Sequence, residues 1–374
     1  MKITGFTCWL VETDPGPKFI WRKGLPGSHG DVRPGRRPRK AVVRMETDEG
    51  LAGALEFRPG EVLFDMVDRR FHHFIGEDPL MTEKIWNLVW EVDRIEEFPM
   101  RPIGVVDMLC WDVKSQRAQL PVFQMLGGND RQVPAYASTV TWPTEEDFER
   151  HIKLCADVGF KAFKLHAWGD VKRDISLIRA LRRWTGPGVD LMFDGSAGWD
   201  YVDSLEVGLA LQDEGYMWYE EPMREFHLGS YAKLCEKLTI PILAAETSDG
   251  AHWNMASWIE ARALDMTRIG AYDKCGITGS MKIAGMSESF GMRTQVHGMG
   301  LENAQLCAAI SNNDYYEQIV LNEDHIRGLA KQEVLPIVDG MLTVSDAPGL
   351  GYHYDWEDLD ARALRKVEVT ERYD

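Results

Sequence analysis

Three acids close three successive stretches of apolar, strand-forming residues: Asp194 after Val189–Phe193, Glu220 after Tyr216–Tyr219 and Glu246 after Ile242–Ala245. Both intervals are 26 residues, which leaves room for one strand, one helix and two turns, a βα unit of a parallel barrel. The three carboxylates then face one rim. Without a cation they would repel one another, so the expected occupant is a hard divalent metal bound through oxygen, Mg²⁺ before Mn²⁺. A single strand-end acid often only caps the helix that follows. Three in register favour the metal.

Lys164-Leu165-His166 ends another such stretch, and residues two apart in a strand point to one side. An amine and an imidazole facing a barrel interior are costly to bury unless they are paired or working. Gln295-Val296-His297 brings a second imidazole to the far side of the barrel, so two bases flank whatever the metal holds. A cation acidifies the α-C–H of a carboxylate by stabilising the enolate formed when the proton leaves. Histidine, with a reference pKa of about 6.5, is suited to taking and returning that proton. Glu317, after Tyr315-Tyr316, is either an ordinary strand-end acid or, if protonated in a crowded acidic site, a hydrogen-bond donor to the enolate oxygen.

The elements that must position these groups are legible from Val133 onward, where short strands alternate with amphipathic helices. Strands are expected at 134–139, 161–166, 190–194, 217–220, 242–246, 265–269, 293–297 and 316–319, and eight strands joined by helices make a barrel with active residues at the strand C-terminal ends. Before them, residues 1–12 and Lys40–Gly50 read as strands, and helical periodicity follows in Val62–Ile75, Met81–Val92 and Gly104–Gln119. Residues 1–130 are therefore an α+β unit, 131–336 the barrel, and 337–374 a Pro/Gly-rich tail returning to the first unit. Lys18–Lys40 carries eight Lys or Arg against the single acid Asp31 and is rich in Gly and Pro, so it is expected to be a loop.

The 374 residues carry a net charge of −17, which disfavours nucleic acid and anionic membranes as partners and leaves small molecules. Six cysteines without a C-x-x-C pair fit reduced thiols in a cytoplasmic protein. No run of 18 apolar residues occurs, so neither export nor a membrane span is expected.

These residues resemble the enolase superfamily, and within it the mandelate racemase-like subgroup, nearly end to end. The carriers, in family order, are VVRMETDEGLAG, IGVVDMLCWDVKSQRAQLPVFQMLGG, GFKAFKLH, Asp194, WYEEP with Glu220, Glu246, CGITG, the strand-seven histidine and DGMLTVSDAPGLGY. The resemblance implies an α/β fold, a modified TIM barrel (β/α)₇β with an N-terminal α+β capping domain completed by the tail. It implies Mg²⁺ on Asp194, Glu220 and Glu246, and abstraction of the proton α to a carboxylate. It gives Lys164 and His166 the strand-two base motif, and His297 and Glu317 the strand-seven base and strand-eight electrophile. The basic loop around Trp21, Arg22 and Arg33 falls where the family's specificity loop closes over substrate, a cationic cluster suited to an anionic ligand. By analogy with related barrels, the protein is a homo-oligomer.

Two positions depart from the family pattern. His166 stands where a second lysine is common. Gly270 stands where strand six usually supplies either the aspartate that orients the strand-seven histidine or a base lysine, so His297 lacks its expected partner. Asp273, from the following loop, and Arg268 are the candidates to face the site instead. The expected reaction is dehydration of a sugar acid, an aldonate or aldarate, to a 2-keto-3-deoxy acid. His166 is the base, and Lys164 or His297 protonates the departing hydroxyl. The alternatives are a racemase or epimerase, in which His166 and His297 trade protons, and a metal- or sugar-acid-binding protein without turnover.

Overall fold

The computed structural model describes residues 1–27, 36–96 and 100–373. Strand β1 (Ile3–Glu12) leads into a short hairpin, β2 (Phe19–Arg22) and β3 (Leu25–Gly27), and then β4 (Arg39–Thr47) and β5 (Ala52–Phe57). The basic segment expected to be a loop therefore contains paired backbone on its N-terminal side. Its residue Arg33 lies outside the described residues.

Eight strands then alternate with helices: β6 (Gln132–Thr139), β7 (Ala162–His166), β8 (Asp190–Asp194), β9 (Trp218–Glu220), β10 (Ile242–Ala244), β11 (Met266–Ile269), β12 (Arg293–Val296) and β13 (Tyr316–Val320). Each of β6 to β11 runs parallel to the next, and β13 lies parallel to β6. β7 and β10 are buried at every residue, as expected for parallel strands covered on both faces. No ladder joins β12 to β13 among the described residues. Val296 N donates to Asn313 Oδ1 at 3.0 Å and Thr294 N to the Asn312 carbonyl at 2.9 Å, bridging that seam through the loop before β13.

Side-chain caps start several of the helices that follow the strands. Thr144, Asp170, Asp200 and Asn322 each accept a backbone N–H of the first turn, which satisfies donors a helix cannot satisfy itself. The tail adds to both sheets. β14 (Ile337–Val338) and β15 (Met341–Thr343) form a hairpin whose second strand pairs with β6, and β16 (Arg365–Val369) pairs antiparallel with β1, giving the order β16-β1-β4-β5.

Buried carboxylates of the helix Val105–Ala118 tie it to β5, to the tail and to the helix Gly276–Ser289. Asp112 accepts from Ala54 N at 3.0 Å and Leu350 N at 2.8 Å, and Asp107 from Thr278 Oγ1 at 2.6 Å and Thr278 N at 2.9 Å. The six cysteines are free thiols. No helix among the described residues is long and apolar enough to cross a membrane.

Candidate active site

Asp194 and Glu220 are the last residues of β8 and β9, and His166 is the last of β7. Glu246 differs from the sequence expectation. β10 ends at Ala244 because Ala245 turns into the left-handed region at φ 74°, so Glu246 stands on a loop two residues beyond its strand. His297 likewise sits one residue past β12.

Lys164 and His166 point the same way from β7 but meet different partners. Lys164 Nζ lies 2.9 Å from Glu220 Oε2, 2.8 Å from Glu317 Oε1 and 3.3 Å from Asp194 Oδ2. Burial disfavours its charge, yet Glu220 and Glu317 outweigh that and hold its pKa well above the ordinary lysine value. His166 Nε2 lies 3.1 Å from Asp194 Oδ2, while its Nδ1 is buried without a hydrogen-bond partner.

Arg268 of β11 is fully buried, with Nε 2.7 Å from Glu220 Oε1 and an Nη 2.7 Å from Glu317 Oε2. Glu317 is thus held between a lysine and an arginine. Burial raises its pKa, but Lys164, Arg268 and His297 together push it well below the usual carboxylate range. This environment favours the ionised form over the protonated donor that the sequence leaves open.

His297 Nδ1 lies 2.8 Å from Glu246 Oε2 and 3.7 Å from Glu317 Oε2. The imidazole therefore has a carboxylate beside it, supplied from beyond β10 and not from strand six. Burial lowers its pKa, while Glu246, Asp273 and Glu317 raise it further, to about 9. Gly270 also has a structural reason: a Cβ there would stand 2.6 Å from Asp273 Oδ2. The loop aspartate occupies the space a strand-six side chain would need, and its other oxygen lies 3.6 Å from Arg101.

Glu220, Glu246 and His297 bring ligand atoms within 4.8 Å of one another, whereas Asp194 is turned toward Lys164 and His166. Glu221, which the sequence reading passed over, joins them as a buried carboxylate whose Oε1 has no partner. Burial and the neighbouring Glu246, Glu225, Asp194 and Glu220 push its pKa well up. The doublet Glu220-Glu221 before Pro222 was the available signal.

Above these groups the β2–β3 hairpin seats on the strand ends. The Trp21 ring packs 4.7 Å from that of His166, and Thr141 Oγ1 donates to the Trp21 carbonyl at 2.7 Å. Arg22 Nε donates to the Ser196 carbonyl at 2.8 Å, beside Asp194.

Parallel strands delivering a cluster of buried carboxylates, a lysine, an arginine and two histidines to one rim define an α/β protein with an enzyme-like polar centre. The model for enolase C-terminal domain-like proteins matches residues 147–359. The chain belongs to this family. It is 28% identical to arabinonate dehydratase of Saccharolobus solfataricus over 83% of this chain and 87% of that protein. It is also 28% identical to D-galactarolactone cycloisomerase of Agrobacterium fabrum, over 94% and 96%. Among solved structures, D-glucarate dehydratase from Agrobacterium tumefaciens complexed with magnesium superposes with a TM-score of 0.84 at 29% identity, covering 97% of this chain and 99% of that one. Other relatives are racemases and epimerases, such as the hydrophobic dipeptide epimerase of Enterococcus faecalis, 26% identical over 83% of this chain and 90% of that protein.

Proposed function

We propose that this protein is a Mg²⁺-dependent lyase that removes the proton α to the carboxylate of a sugar acid and expels the β-hydroxyl, giving a 2-keto-3-deoxy acid. In this reading the parallel strands of residues 131–336 form a closed (β/α)₇β barrel, capped by residues 1–130 and completed by the tail 337–374.

The residues present fit a dication. Asp194, Glu220, Glu221, Glu246 and Glu317 are five carboxyl groups facing Lys164, Arg268 and His297, and the burial and crowding of acids that push the Glu221 pKa up mark a site that a cation would relieve. Asp194, Glu220 and Glu246 offer only oxygen donors, the set a hard cation prefers. These three would hold Mg²⁺, which when bound stabilises the negative charge developing on the substrate carboxylate as its α-proton leaves. The magnesium in the D-glucarate dehydratase structure supports the choice of metal.

His166 takes the α-proton. Its Nδ1 has no protein partner, so protonation changes there without breaking a hydrogen bond. Lys164 is excluded from proton traffic because three carboxylates surround its ammonium. His297 protonates the departing hydroxyl from a ring that is 30% exposed. Trp21 and Arg22 line the approach and orient an anionic substrate.

His166, buried under Trp21, and His297, in a more open position against Glu246, supply one base and one acid, the pair an elimination needs. The observation that carries dehydration over racemisation is the likeness to sugar-acid dehydratases along most of the chain. The test is incubation of the Mg²⁺-loaded protein with aldonic and aldaric acids in D₂O, following mass and α-proton signals. A 2-keto-3-deoxy product is expected. Deuterium uptake without loss of water would replace the reading with epimerisation, and silence across the pool would reject both.

A further inference from the structure

Glu246 is the one proposed metal ligand that no strand holds in place, since Ala245 to Ser248 form an irregular loop. Neighbouring loops bind the backbone of that segment instead. From beyond β9, the Glu225 carboxylate accepts the N–H of Ala245 through Oε1, the N–H of Thr247 at 2.9 Å and the Thr247 hydroxyl at 2.8 Å. From beyond β11, Lys274 Nζ donates to the carbonyls of Ala245 at 2.5 Å, Glu246 at 2.9 Å and Ser248 at 2.7 Å. β9 and β11 are the two strands that flank β10. Each lends its middle neighbour one charge, an anion for the amides and a cation for the carbonyls. Ser248 is held in turn, its Oγ accepting from Asn254 Nδ2 at 2.7 Å and Trp258 Nε1 at 3.0 Å.

We infer that Lys274 and Glu225 are positioning residues that fix the Glu246 carboxylate for the metal, in place of the strand that ends too early to do so. Charge-assisted hydrogen bonds are about twice as strong as neutral ones. Six of them on one four-residue loop hold a non-glycine residue in the left-handed region, a conformation that a Cβ otherwise disfavours. Lys274 is buried with no other hydrogen-bond acceptor among the described residues. A buried ammonium spent wholly on one loop's carbonyls is an expensive way to build an ordinary turn. It makes physical sense where that turn must present a ligand within a narrow tolerance.

This inference rests on Glu246 as a Mg²⁺ ligand, and the experiment separates the two claims. Mg²⁺ alone is titrated calorimetrically into the full chain, into Glu246→Gln, into Lys274→Met and into the double variant Lys274→Met/Glu225→Gln, which removes both charges and leaves neither buried alone. In the clamp variants Mg²⁺ affinity is expected to fall about 10–100-fold, the range for groups that support metal ligands, with far-UV circular dichroism unchanged. If Glu246→Gln weakens binding and the double variant does not, the clamp is overturned and the ligand reading stands. If the parent chain fails to bind Mg²⁺, both fall. Should the variants not fold, amide exchange in the parent chain decides. The Ala245 and Thr247 amides are expected to exchange as slowly as those of the barrel strands, and exchange at exposed-loop rates overturns the clamp.

Discussion

Replacing His166 by asparagine separates chemistry from architecture, because little of the structure leans on this ring. Its polar side-chain contact is Nε2 to Asp194 at 3.1 Å, and its aromatic contact is Trp21 at 4.7 Å. The backbone N–H of His166 donates to Thr139 Oγ1 at 3.1 Å whatever the side chain. One hydrogen bond of about 1 kcal/mol and one ring contact of about 0.5–1.5 kcal/mol set the expected loss of stability at roughly 2 kcal/mol, so the variant should fold. Removal of a positioned general base costs about 10²–10⁴-fold in rate, which is about 3–5 kcal/mol of barrier at 1.36 kcal/mol per decade. The readout is deuterium wash-in at the α-carbon in D₂O, measured by NMR on Mg²⁺-loaded protein with a substrate found in the pooled screen. His166→Asn should lose wash-in and dehydration together while Mg²⁺ titration stays near that of the parent. Wash-in at the parent rate would refute His166 as the base, and loss of Mg²⁺ binding would refute the separation of base from metal site.

His297→Asn should lower dehydration about 10²–10⁴-fold, as for loss of a general acid, yet preserve α-deuterium wash-in. Joint loss of both would place His297 in proton abstraction. Glu220→Gln substitutes a neutral amide for a charged ligand that also meets Lys164 and Arg268, so weaker Mg²⁺ binding is expected by calorimetry; an unchanged titration would reject the metal site. Asp107, held up to about 7 by burial, favours folding most when protonated, a contribution complete below its unfolded pKa of about 3.9 and lost as pH rises through 7. Between pH 5 and 8 the parent should therefore lose about 3 kcal/mol of urea-measured stability relative to Asp107→Asn. Parallel curves for the two proteins would show that Asp107 stays ionised throughout.

Much of this site could be read locally. A strand has period two and a βα unit has a nearly constant length, so the 26-residue spacing of Asp194, Glu220 and Glu246 marked three strand ends without knowledge of any contact. The same period placed Lys164 and His166 on one side of β7. Tertiary structure decided which charge meets which. Arg268 enters the interior to pair with Glu220 and Glu317, Lys164 is enclosed by three carboxylates, and the two cations hold the Glu317 pKa well below the usual carboxylate range. Those partners lie on strands tens to more than a hundred residues apart, and no local pattern encodes the few ångströms between them. The strand-six position shows the same limit. Gly270 read as a missing partner for His297, whereas in three dimensions Asp273 fills the vacated space and Glu246 stands beside the imidazole. Glu246 itself left its strand because Ala245 turns left-handed, a conformation held by Glu225 and Lys274 from the loops on either side. Sequence periodicity thus determined which residues reach the rim. Only packing across the sheet determined their charges, their partners and the direction in which each one points, because electrostatic and hydrogen-bond energies depend on distance through space and not on separation along the chain.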